Sequence, residues 1–319
     1  MVNRTNKPTE ADALDIAAQF WGRPARDARR FETGLGHWVY DVHGHAGDNI
    51  VVRVGAAAQQ EDFDGAVHWS TTLRALGVPL PALLDYGQCN GLPYTVLERL
   101  PGDDLGAKYP SLSTAQKRAV AAEVRRVQGL VGRLPEAPGY GYARLPEGPY
   151  LPCWADVVDQ SIARSRARIE AAGLVDPRNV QVVEQHALRL ASYFSTVRPV
   201  PFLDDTTTKN VLVKAGVFTG IVDVDWVCFG DPLLTIALTR TGLLSLGFDL
   251  IYTDHWCELL EPTAEQRAVV HFYTALFCLD FLSELGQSFN RPAEAPSLIF
   301  VSRIEGLLND NLERAHVGR

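Results

Sequence analysis

The sequence predicts an α+β protein with two lobes, a small N-terminal lobe built on an antiparallel sheet and a larger, mainly helical C-terminal lobe. Short β-branched runs separated by turn residues fill the first third of the chain, which is typical of strands. Helical spacing and capping residues dominate from about Leu105 onward, where one strand-turn-strand unit interrupts them. The 319 residues suffice for two lobes, which we expect to cover residues 1–100 and 101–319.

The first elements are a helix and two strands. Thr9 and Asp12 are spaced as a capping pair, and apolar residues then recur at helical spacing until Gly22 ends the pattern. Two β-branched runs follow at residues 38–42 and 50–54, and a Gly-Asp-Asn turn separates them. These patterns predict a helix followed by an antiparallel strand pair.

The rest of the N-terminal lobe contains a second helix and a further strand. The helix is predicted from Gln59 to Gly77, where apolar residues recur at helical spacing. The Val-Pro-Leu-Pro run after it predicts a rigid extended connection, because proline fixes its own φ and restricts the preceding residue. A strand follows at residues 94–97, and the stretch from Glu98 to Leu105 leads out of the lobe.

The larger lobe is predicted to contain five long helices. Capping boxes pair Ser113 with Gln116 and Thr263 with Gln266, which marks two of the helix starts. Apolar residues surround much of the helix after Thr263, as expected of a core helix. The expected helices cover residues 114–133, 154–172, 177–197, 264–285 and 305–319.

An acidic hairpin lies within this helical region. The runs Val211–Val213 and Val217–Val224 flank a Lys-Ala-Gly turn, which predicts two antiparallel strands. A hairpin brings its outer ends together, so Asn210 and Asp223 are expected to lie close although thirteen positions separate them. Amide and carboxylate oxygens suit Mg²⁺, which completes its shell with water and substrate phosphates.

Asp205 lies five residues before Asn210, in a polar loop that follows an apolar run. Its carboxylate can accept a proton from an attacking hydroxyl group. The alternative is an acidic hairpin whose Asp and Asn side chains only satisfy turns. Three separate spacings would then have to agree by accident, so the pattern favours a functional site.

This segment resembles the catalytic core of the aminoglycoside phosphotransferase and choline kinase family. The family pattern is His-Gly-Asp, four residues, Asn, a hairpin, Ile-Asp and then Gly-Asp-Pro. Asp205, Asn210 and Asp223 fall on its three polar positions, and the Gly-Asp-Pro begins at Gly230. The Val-Pro-Leu-Pro run also matches the family's Val-Pro-x-Pro.

The resemblance implies a bilobal, protein-kinase-like fold with a nucleotide-binding N-lobe, residues 1–100, and a catalytic, substrate-binding C-lobe, residues 101–319. It implies ATP or GTP as phosphate donor and Mg²⁺ as cofactor. Asp205 is then the catalytic base, and Asn210 and Asp223 are the metal ligands.

The chain departs from the family pattern at three positions. Leu203 and Asp204 replace the His-Gly pair, and Leu203 can fill the space of a His that mainly holds the loop. Asp204, beside Asp205, either faces a cationic substrate or caps the loop. Thr235 replaces a second family Asp, and we expect this change to affect only the anchoring of the loop.

The resemblance also implies nucleotide-binding residues in the N-lobe. Arg53 matches a strand cation that reaches the phosphates, although an exposed edge-strand arginine is the alternative. Gly34 and Gly36 match the phosphate-covering loop, although they also fit an ordinary hairpin turn. Glu61 and Asp64 are both candidates for the helix carboxylate that pairs with the cation in kinase-like folds.

The stretch that begins at Glu98 resembles the connector between the lobes. In the family, backbone groups of this connector bond the adenine edge, which implies Glu98 and Leu100 as nucleotide-binding residues. The family's acceptor site suggests residues near 150–175 and 240–260 as the acceptor pocket. The polar and aromatic candidates there are Trp154, Asp156, Asp159, Tyr252, Asp254, His255 and Glu258.

Composition excludes several other classes of protein. The net charge of -8 gives no support to nucleic-acid binding, which needs a basic face. The five cysteines form no CxxC pair, so reduced thiols are expected. No apolar run is long enough for a membrane helix and the polar N-terminus is no signal peptide, which predicts a cytoplasmic protein without membrane contact.

The sequence therefore predicts a small-molecule O-phosphotransferase. The acceptor is expected to be a hydroxylated, cationic compound, either an aminoglycoside-like antibiotic or an amino-bearing metabolite, because the loop around Asp205 is acidic. The alternative is a non-catalytic kinase-like protein that binds a nucleotide or ligand, and its two motives are the missing His-Gly pair and the uncertain helix carboxylate. The oligomeric state is not predicted.

Overall fold

A computed structural model of the chain describes residues 7–31, 36–289 and 297–315. The strands are β1 Asp27–Arg30, β2 Trp38–His43, β3 Asn49–Val54, β4 Leu83–Cys89, β5 Leu92–Glu98, β6 Asp103–Asp104, β7 Gly141–Ala143, β8 Val200–Phe202, β9 Val211–Lys214, β10 Val217–Ile221 and β11 Val227–Gly230. The helices are α1 Glu10–Trp21, α2 Gln60–Ala75, α3 Leu105–Lys108, α4 Thr114–Val131, α5 Trp154–Ala172, α6 Arg178–Arg189, α7 Ala191–Phe194, α8 Leu233–Ser245, α9 Ile251–Glu258, α10 Ala264–Ser283 and α11 Leu298–Arg314.

The N-terminal part is one antiparallel sheet with strand order β1-β2-β3-β5-β4. Helix α1 packs on it through Ala13, Ile16 and Ala17, which share a core with the valines of β3. Thr9 caps α1, since its hydroxyl accepts a hydrogen bond from the Asp12 amide at 3.3 Å, and Gly22 ends it with a φ of 65°. The predicted α+β architecture is confirmed.

A separate core lies where helix α2 meets the C-terminal part of the molecule. Helix α2 contributes Trp69 and Leu73 to it, and α4 contributes Val127. Leu203, in the loop after β8, is buried in the same core. Helix α2 and the loop that carries Asp205 therefore rest on one packed core.

The C-terminal part is helical and surrounds α10, whose side chains are buried along most of its length. The predicted helix at residues 154–172 is confirmed as α5. The single helix predicted at 177–197 is wrong, because the chain breaks at Leu190 into α6 and α7. The C-terminal helix begins at Leu298, before the predicted start, where Ser297 caps it. In the described parts of the chain, no helix combines the length and apolarity needed to cross a membrane.

The predicted hairpin is formed by β9 and β10, which pair Val211 with Ile221. The second strand ends at Ile221 and not, as predicted, at Val224. The ladder stops because Asp223 has a left-handed φ of 65°, which turns the chain out of the strand direction. Asp223 therefore lies in a loop between β10 and β11 and not within a strand.

Candidate active site

The loop after β8 is held in position by Gln128 of α4. The Gln128 side chain accepts a hydrogen bond from the Leu203 amide at 3.0 Å and donates to the Leu203 carbonyl at 2.8 Å. It also donates to the Thr206 hydroxyl at 3.2 Å. Leu203 itself is 2% exposed, so it fills apolar space as expected while a glutamine supplies the polar contacts.

Threonines anchor the second half of the same loop. The hydroxyls of Thr206 and Thr235 lie 2.9 Å apart and share a hydrogen bond, and both residues are buried. The Thr208 carbonyl accepts a bond from the Gly106 amide at 3.0 Å. The Thr235 contact agrees with the anchoring role predicted for this position.

Asp205 lies at the exposed tip of this loop. Its Oδ1 accepts hydrogen bonds from the Thr207 hydroxyl at 2.8 Å and the Thr207 amide at 3.4 Å. Because both bonds reach Oδ1, they fix the carboxylate and leave Oδ2 as the oxygen that a substrate hydroxyl can approach. A fixed, exposed carboxylate is the arrangement that a general base needs.

Asn210 and Asp223 meet at the end of the hairpin. The Val222 amide donates to the Asn210 carbonyl at 2.9 Å, which brings Asp223 directly beside Asn210. The Asn210 side-chain amide donates to the Asp205 carbonyl at 3.2 Å, so it also links the hairpin to the loop of Asp205. The three residues predicted from sequence spacing are thus brought together.

Arg53 reaches this group from β3. It is 6% exposed, and its Nη2 lies 2.9 Å from Asp223 Oδ1 and 2.8 Å from Asp225 Oδ1. His37 Nε2 lies 2.9 Å from the other oxygen of Asp225. The alternative of an exposed edge-strand arginine is therefore wrong. The Arg53 side chain is buried in the cleft and bridges the carboxylates of Asp223 and Asp225.

These charges shift the acidity of the carboxyl groups. Burial opposes the ionisation of Asp225, but Arg53 and His37 outweigh it and lower the pKa of Asp225 to about 2. The pKa of Asp223 is raised, because desolvation in the cleft and repulsion from Asp225 and Asp205 exceed the attraction of Arg53. A cation beside Asp223 would relieve that repulsion.

The side-chain oxygens of Asn210 and Asp223 are of the kind that binds Mg²⁺. The Asn210 nitrogen is engaged by a backbone carbonyl, which turns its side-chain oxygen away as a free acceptor. The Asp223 side chain remains 43% exposed and can reach an ion. No cluster of three His, Cys, Asp or Glu side chains suited to a metal occurs in residues 7–31, 36–289 and 297–315. Water and phosphate oxygens would therefore have to complete the shell, as Mg²⁺ commonly requires.

Asp204 has the most unusual acidity of the loop. Burial and the neighbouring charge of Asp205 raise the pKa of Asp204 to about 7, while the backbone amides of Asp204 and Asp205 act in the opposite direction by bonding its carboxylate. The two alternatives for Asp204, capping of the loop and contact with a cationic substrate, both stay predictions.

The raised pKa predicts a pH-dependent stability that Asp204→Asn removes. Between the ordinary value of 3.8 and about 7, the folded protein holds more protons at this site than the unfolded chain, so stability falls as pH rises. At pH 8 we expect the free energy of unfolding of the variant to exceed that of the native protein by on the order of 1 kcal/mol. The difference is small because solvent screens the charge of a partly exposed group. At pH 4 the two should be equal.

Urea unfolding at both pH values measures this difference. Asp310→Asn, an exposed change on α11, is the matched control and should leave the pH dependence intact. Parallel stability curves for the native protein and Asp204→Asn would contradict the assigned acidity.

The other nucleotide-site predictions have mixed outcomes. Gly34 lies outside the described residues. Gly36 is described, and its carbonyl accepts a bond from Gln59 at 3.2 Å. The Glu98 carboxylate accepts a bond from the Ala82 amide at 3.0 Å, and the Leu100 carbonyl accepts one from Arg99 at 2.7 Å. The side chains of Glu98 and Arg99 thus brace the connector.

Neither helix carboxylate proposed as a partner of Arg53 takes that role. Glu61 Oε2 lies 2.8 Å from Arg144 Nη1, and Asp64 accepts a bond from Gln60 at 2.8 Å. Arg53 instead pairs with the loop carboxylates, and the Phe63 ring lies 5.8 Å from its guanidinium carbon. The cation is therefore held from the hairpin side of the cleft.

A cavity of about 360 Å³ opens between β7, α5 and α10. Trp154, a predicted acceptor residue, lines it. None of the candidates predicted at residues 240–260 lines this cavity: Asp254 pairs with Arg240, His255 lies beside Glu258, and Tyr252 is buried. Their place in an acceptor pocket stays a prediction. Asp156 and Asp159 also lie outside its lining.

Sequence reasoning missed Gln128 and His37. Gln128 is 75 positions from Leu203, and its only sequence signal is a polar residue on the inward face of a predicted helix. His37 is 188 positions from Asp225 and carries no local signal at all. Both act through contacts that only the folded chain creates.

Comparison with known proteins gives the same picture. The model of the phosphotransferase enzyme family matches residues 27–266. Among solved structures, a thermostable mutant of aminoglycoside phosphotransferase APH(4)-Ia, in a ternary complex with AMP-PNP and hygromycin B, is 18% identical with a TM-score of 0.68. The alignment covers 95% of this chain and 98% of that one.

Two further structures are similar over nearly their whole length. ADP-bound aminoglycoside phosphotransferase APH(2'')-Ib is 12% identical with a TM-score of 0.65, and 96% of this chain and 99% of that one are covered. A putative fructosamine-3-kinase from Haemophilus somnus 129PT is 14% identical with a TM-score of 0.63, with 95% and 97% covered. At these identities the structures establish the fold, and the predicted bilobal kinase-like fold is confirmed.

Proposed function

Because the chain belongs to the phosphotransferase enzyme family, we propose that it transfers the γ-phosphate of ATP or GTP to a hydroxyl group of a small molecule. In this proposal residues 1–100 form the nucleotide-binding lobe and residues 101–319 form the catalytic lobe. Asp205 is the catalytic base, and Asn210 and Asp223 are the metal ligands. Gly34, Gly36, Arg53, Glu98 and Leu100 contact the nucleotide.

The observation that carries the proposal is the convergence of Arg53, Asp223, Asn210 and Asp205 in one cleft. A cation that is 6% exposed and aimed at two carboxylates fits a phosphate site better than a structural salt bridge, because its Nε has no hydrogen-bond partner among the described residues. The buried hydroxyl of Thr95, opposite Arg53 on β5, has none there either. Such unsatisfied polar atoms are expected where a ligand supplies the missing bonds.

The residues then divide the work of phosphoryl transfer. The oxygen of the acceptor hydroxyl bonds to the γ-phosphorus while Asp205 accepts the proton of that hydroxyl. The bond between the γ-phosphorus and the bridging oxygen breaks, and the nucleoside diphosphate is released. Arg53 offsets the negative charge of the phosphates from the sheet side. Bound Mg²⁺ supplies further neutralisation of the phosphate oxygens.

The arrangement of the site weakens the arguments for a non-catalytic protein. That alternative rested partly on the missing His-Gly pair, whose loop-holding task falls here to Gln128 and the Thr206–Thr235 contact. It also rested on the uncertain helix carboxylate, and Arg53 takes Asp223 and Asp225 as its partners instead. The base and both candidate metal ligands are retained and oriented. An enzyme is therefore the better account of the site.

The nature of the acceptor is the finer part of the proposal. An aminoglycoside-like or other amino-bearing acceptor stays a prediction, and the hygromycin B in the similar structure supports it. The charge argument for it is weaker, because Asp225 is paired with Arg53 and His37 while Asp231 accepts bonds from Tyr193 and Tyr273. Asp225 and Asp231 are thus engaged within the protein, whereas Asp205 stays exposed.

Calorimetry of ATP and GTP binding, with and without Mg²⁺, tests the proposal most directly. We expect binding that strengthens with Mg²⁺, and phosphate transfer to a hydroxylated acceptor from a chemically broad panel. Absence of nucleotide binding by the folded protein would refute the proposed function.

Asp223→Ala should remove the Mg²⁺ dependence of nucleotide binding. We expect nucleotide affinity in Mg²⁺ to fall at least about tenfold, because one metal ligand is lost. The fold should survive, since Arg53 keeps Asp225 as a partner at 2.8 Å. The same titration on Asp310→Ala is the control, and an unchanged response to Mg²⁺ in Asp223→Ala would rule out its assignment as a ligand.

A further inference from the structure

The cavity between β7, α5 and α10 has an unusual lining for a site expected to take polycationic amino sugars. Most of its wall is aromatic or aliphatic, and its larger apolar side chains are Tyr140, Tyr142, Tyr150, Trp154, Leu276 and Phe277. Its volume of about 360 Å³ is within the range of small-molecule sites. The wall is therefore suited to a compact apolar body.

The cavity adjoins the loop of Asp205. In the small sheet, Cys228 of β11 pairs with Tyr142 of β7 and with Phe202 of β8, so the three side chains share one face. Strand β8 ends at Phe202, and the loop that carries Asp204 and Asp205 leaves the small sheet directly after it. The Asp204 carboxylate raises the pKa of both Tyr142 and Cys228, although burial is the larger cause for each.

The far wall of the cavity also leads to the catalytic loop. Helix α10 lines the cavity through Leu276 and Phe277 and continues to Ser283. Just beyond its end, Glu284 lies close enough to Lys209 for that lysine to act on the Glu284 pKa, although burial raises it overall. Lys209 immediately precedes the proposed metal ligand Asn210. The loop of Asp205 therefore lies near the C-terminal end of the helix that forms this wall.

The cavity lining carries one cation and no anion among the described residues. Arg164 is the one charged residue that the described part of the chain contributes to its lining, and its Nη2 lies 3.1 Å from Asp280 Oδ1. Arg168 lies 3.7 Å from the same carboxylate oxygen. No carboxylate lines the cavity among the described residues, so an ammonium group would be desolvated there without a partner.

We propose that this cavity is the acceptor site and that it selects an uncharged alcohol with a ring-containing, apolar body over polycationic amino sugars. The inference rests on the proposed phosphotransferase function and names its substrate class. Tyr142 and Trp154 pack against the ring, and the hydroxyl group extends toward Asp205. Aromatic walls contribute to such binding through buried area and ring contacts.

Ligand-observed NMR on the full-length protein tests this selectivity without requiring turnover. The probes are phenylethanol, its amino analogue phenylglycinol, and hygromycin B as a polycation. We expect phenylethanol to bind about tenfold more tightly than phenylglycinol and hygromycin B to show no competition. Tighter binding of either amine-bearing probe, or no binding of phenylethanol, would overturn the inference.

Two variants link the binding to the cavity. Tyr142→Ala removes a half-exposed aromatic side chain from the cavity wall and should lower the affinity for phenylethanol about tenfold. Circular dichroism checks that the variant keeps its fold. Gln160→Glu adds a carboxylate to the exposed rim and should improve phenylglycinol relative to phenylethanol about threefold. Gln185→Glu makes the same change on α6, away from the cavity, and should alter neither affinity. Unchanged preferences in both cavity variants would contradict the assignment.

The same sample separates the two proposals. Nucleotide binding and phosphate transfer are measured independently of probe binding. Transfer to amino sugars in preference to uncharged alcohols would overturn only the selectivity. Probe binding without any Mg²⁺-dependent nucleotide binding would instead refute the phosphotransferase function.

Discussion

Asp205→Asn is expected to reduce phosphate transfer by about 10² to 10⁴-fold, the usual contribution of a general base, while leaving nucleotide affinity nearly unchanged. The asparagine cannot accept the proton of the acceptor hydroxyl. It can still accept the Thr207 hydroxyl bond that holds this side chain at 2.8 Å, so the loop should keep its shape. Steady-state kinetics and nucleotide calorimetry on the same preparation measure the two quantities.

The pattern of loss identifies the role. Loss of kcat with unchanged nucleotide affinity is specific to a group that acts at the acceptor hydroxyl, whereas a loop that collapses would also disturb Asn210 and the nucleotide. Asp310→Asn, a solvent-exposed change on α11, is the matched control and should retain full activity. Full activity in Asp205→Asn would show that another group takes the proton.

Gly230→Ala is expected to destabilise the protein by roughly 3–5 kcal/mol. Gly230 has a φ of 154°, and a Cβ there would lie 1.9 Å from the Trp154 ring. The ring cannot move freely, because its Nε1 donates to the Tyr273 hydroxyl at 2.6 Å. Tyr273 in turn donates to Asp231 at 2.9 Å, so the clash spreads through a buried network behind the Gly-Asp-Pro turn.

Denaturant unfolding measures this effect. Gly242→Ala is the matched control, since Gly242 lies within α8 and a Cβ there meets nothing within 4 Å. This control should be neutral or stabilise the protein by up to about 1 kcal/mol, because alanine favours a helix. Equal midpoints for Gly230→Ala and the native protein would mean that Trp154 can leave its position at no cost.

The elements that the sequence predicted well are those whose signals are local. Capping at Thr9 and Thr263 fixed the first turns of α1 and α10, and both boxes are present in the fold. The turn between β9 and β10 was predicted from the local Lys-Ala-Gly sequence in the same way. Hairpin geometry alone implied that Asn210 and Asp223 meet, since the ends of two paired strands cannot be far apart.

The break at Leu190 and the early start of α11 were not predicted. Periodicity continues across Leu190, and packing of α6 against α5 and α10 decides where the backbone stays helical there. The start of α11 did have a local signal, because Ser297 caps it. The end of the second hairpin strand was missed for a related reason. The left-handed φ of Asp223 is compatible with its neighbours in sequence, but nothing local requires it.

The sequence by itself determined the two-lobed architecture, the long helices other than α8, the strands β2, β3, β5, β9 and β10, and the group of Asp205, Asn210 and Asp223, because short-range hydrogen bonding and side-chain period encode them. Only the tertiary structure decided what surrounds that group. Arg53 and Asp225 are 172 positions apart, and Gln128 is 75 from Leu203. The apolar cavity is likewise assembled from separate elements. Such contacts depend on how those elements pack, and a linear pattern carries no record of that packing.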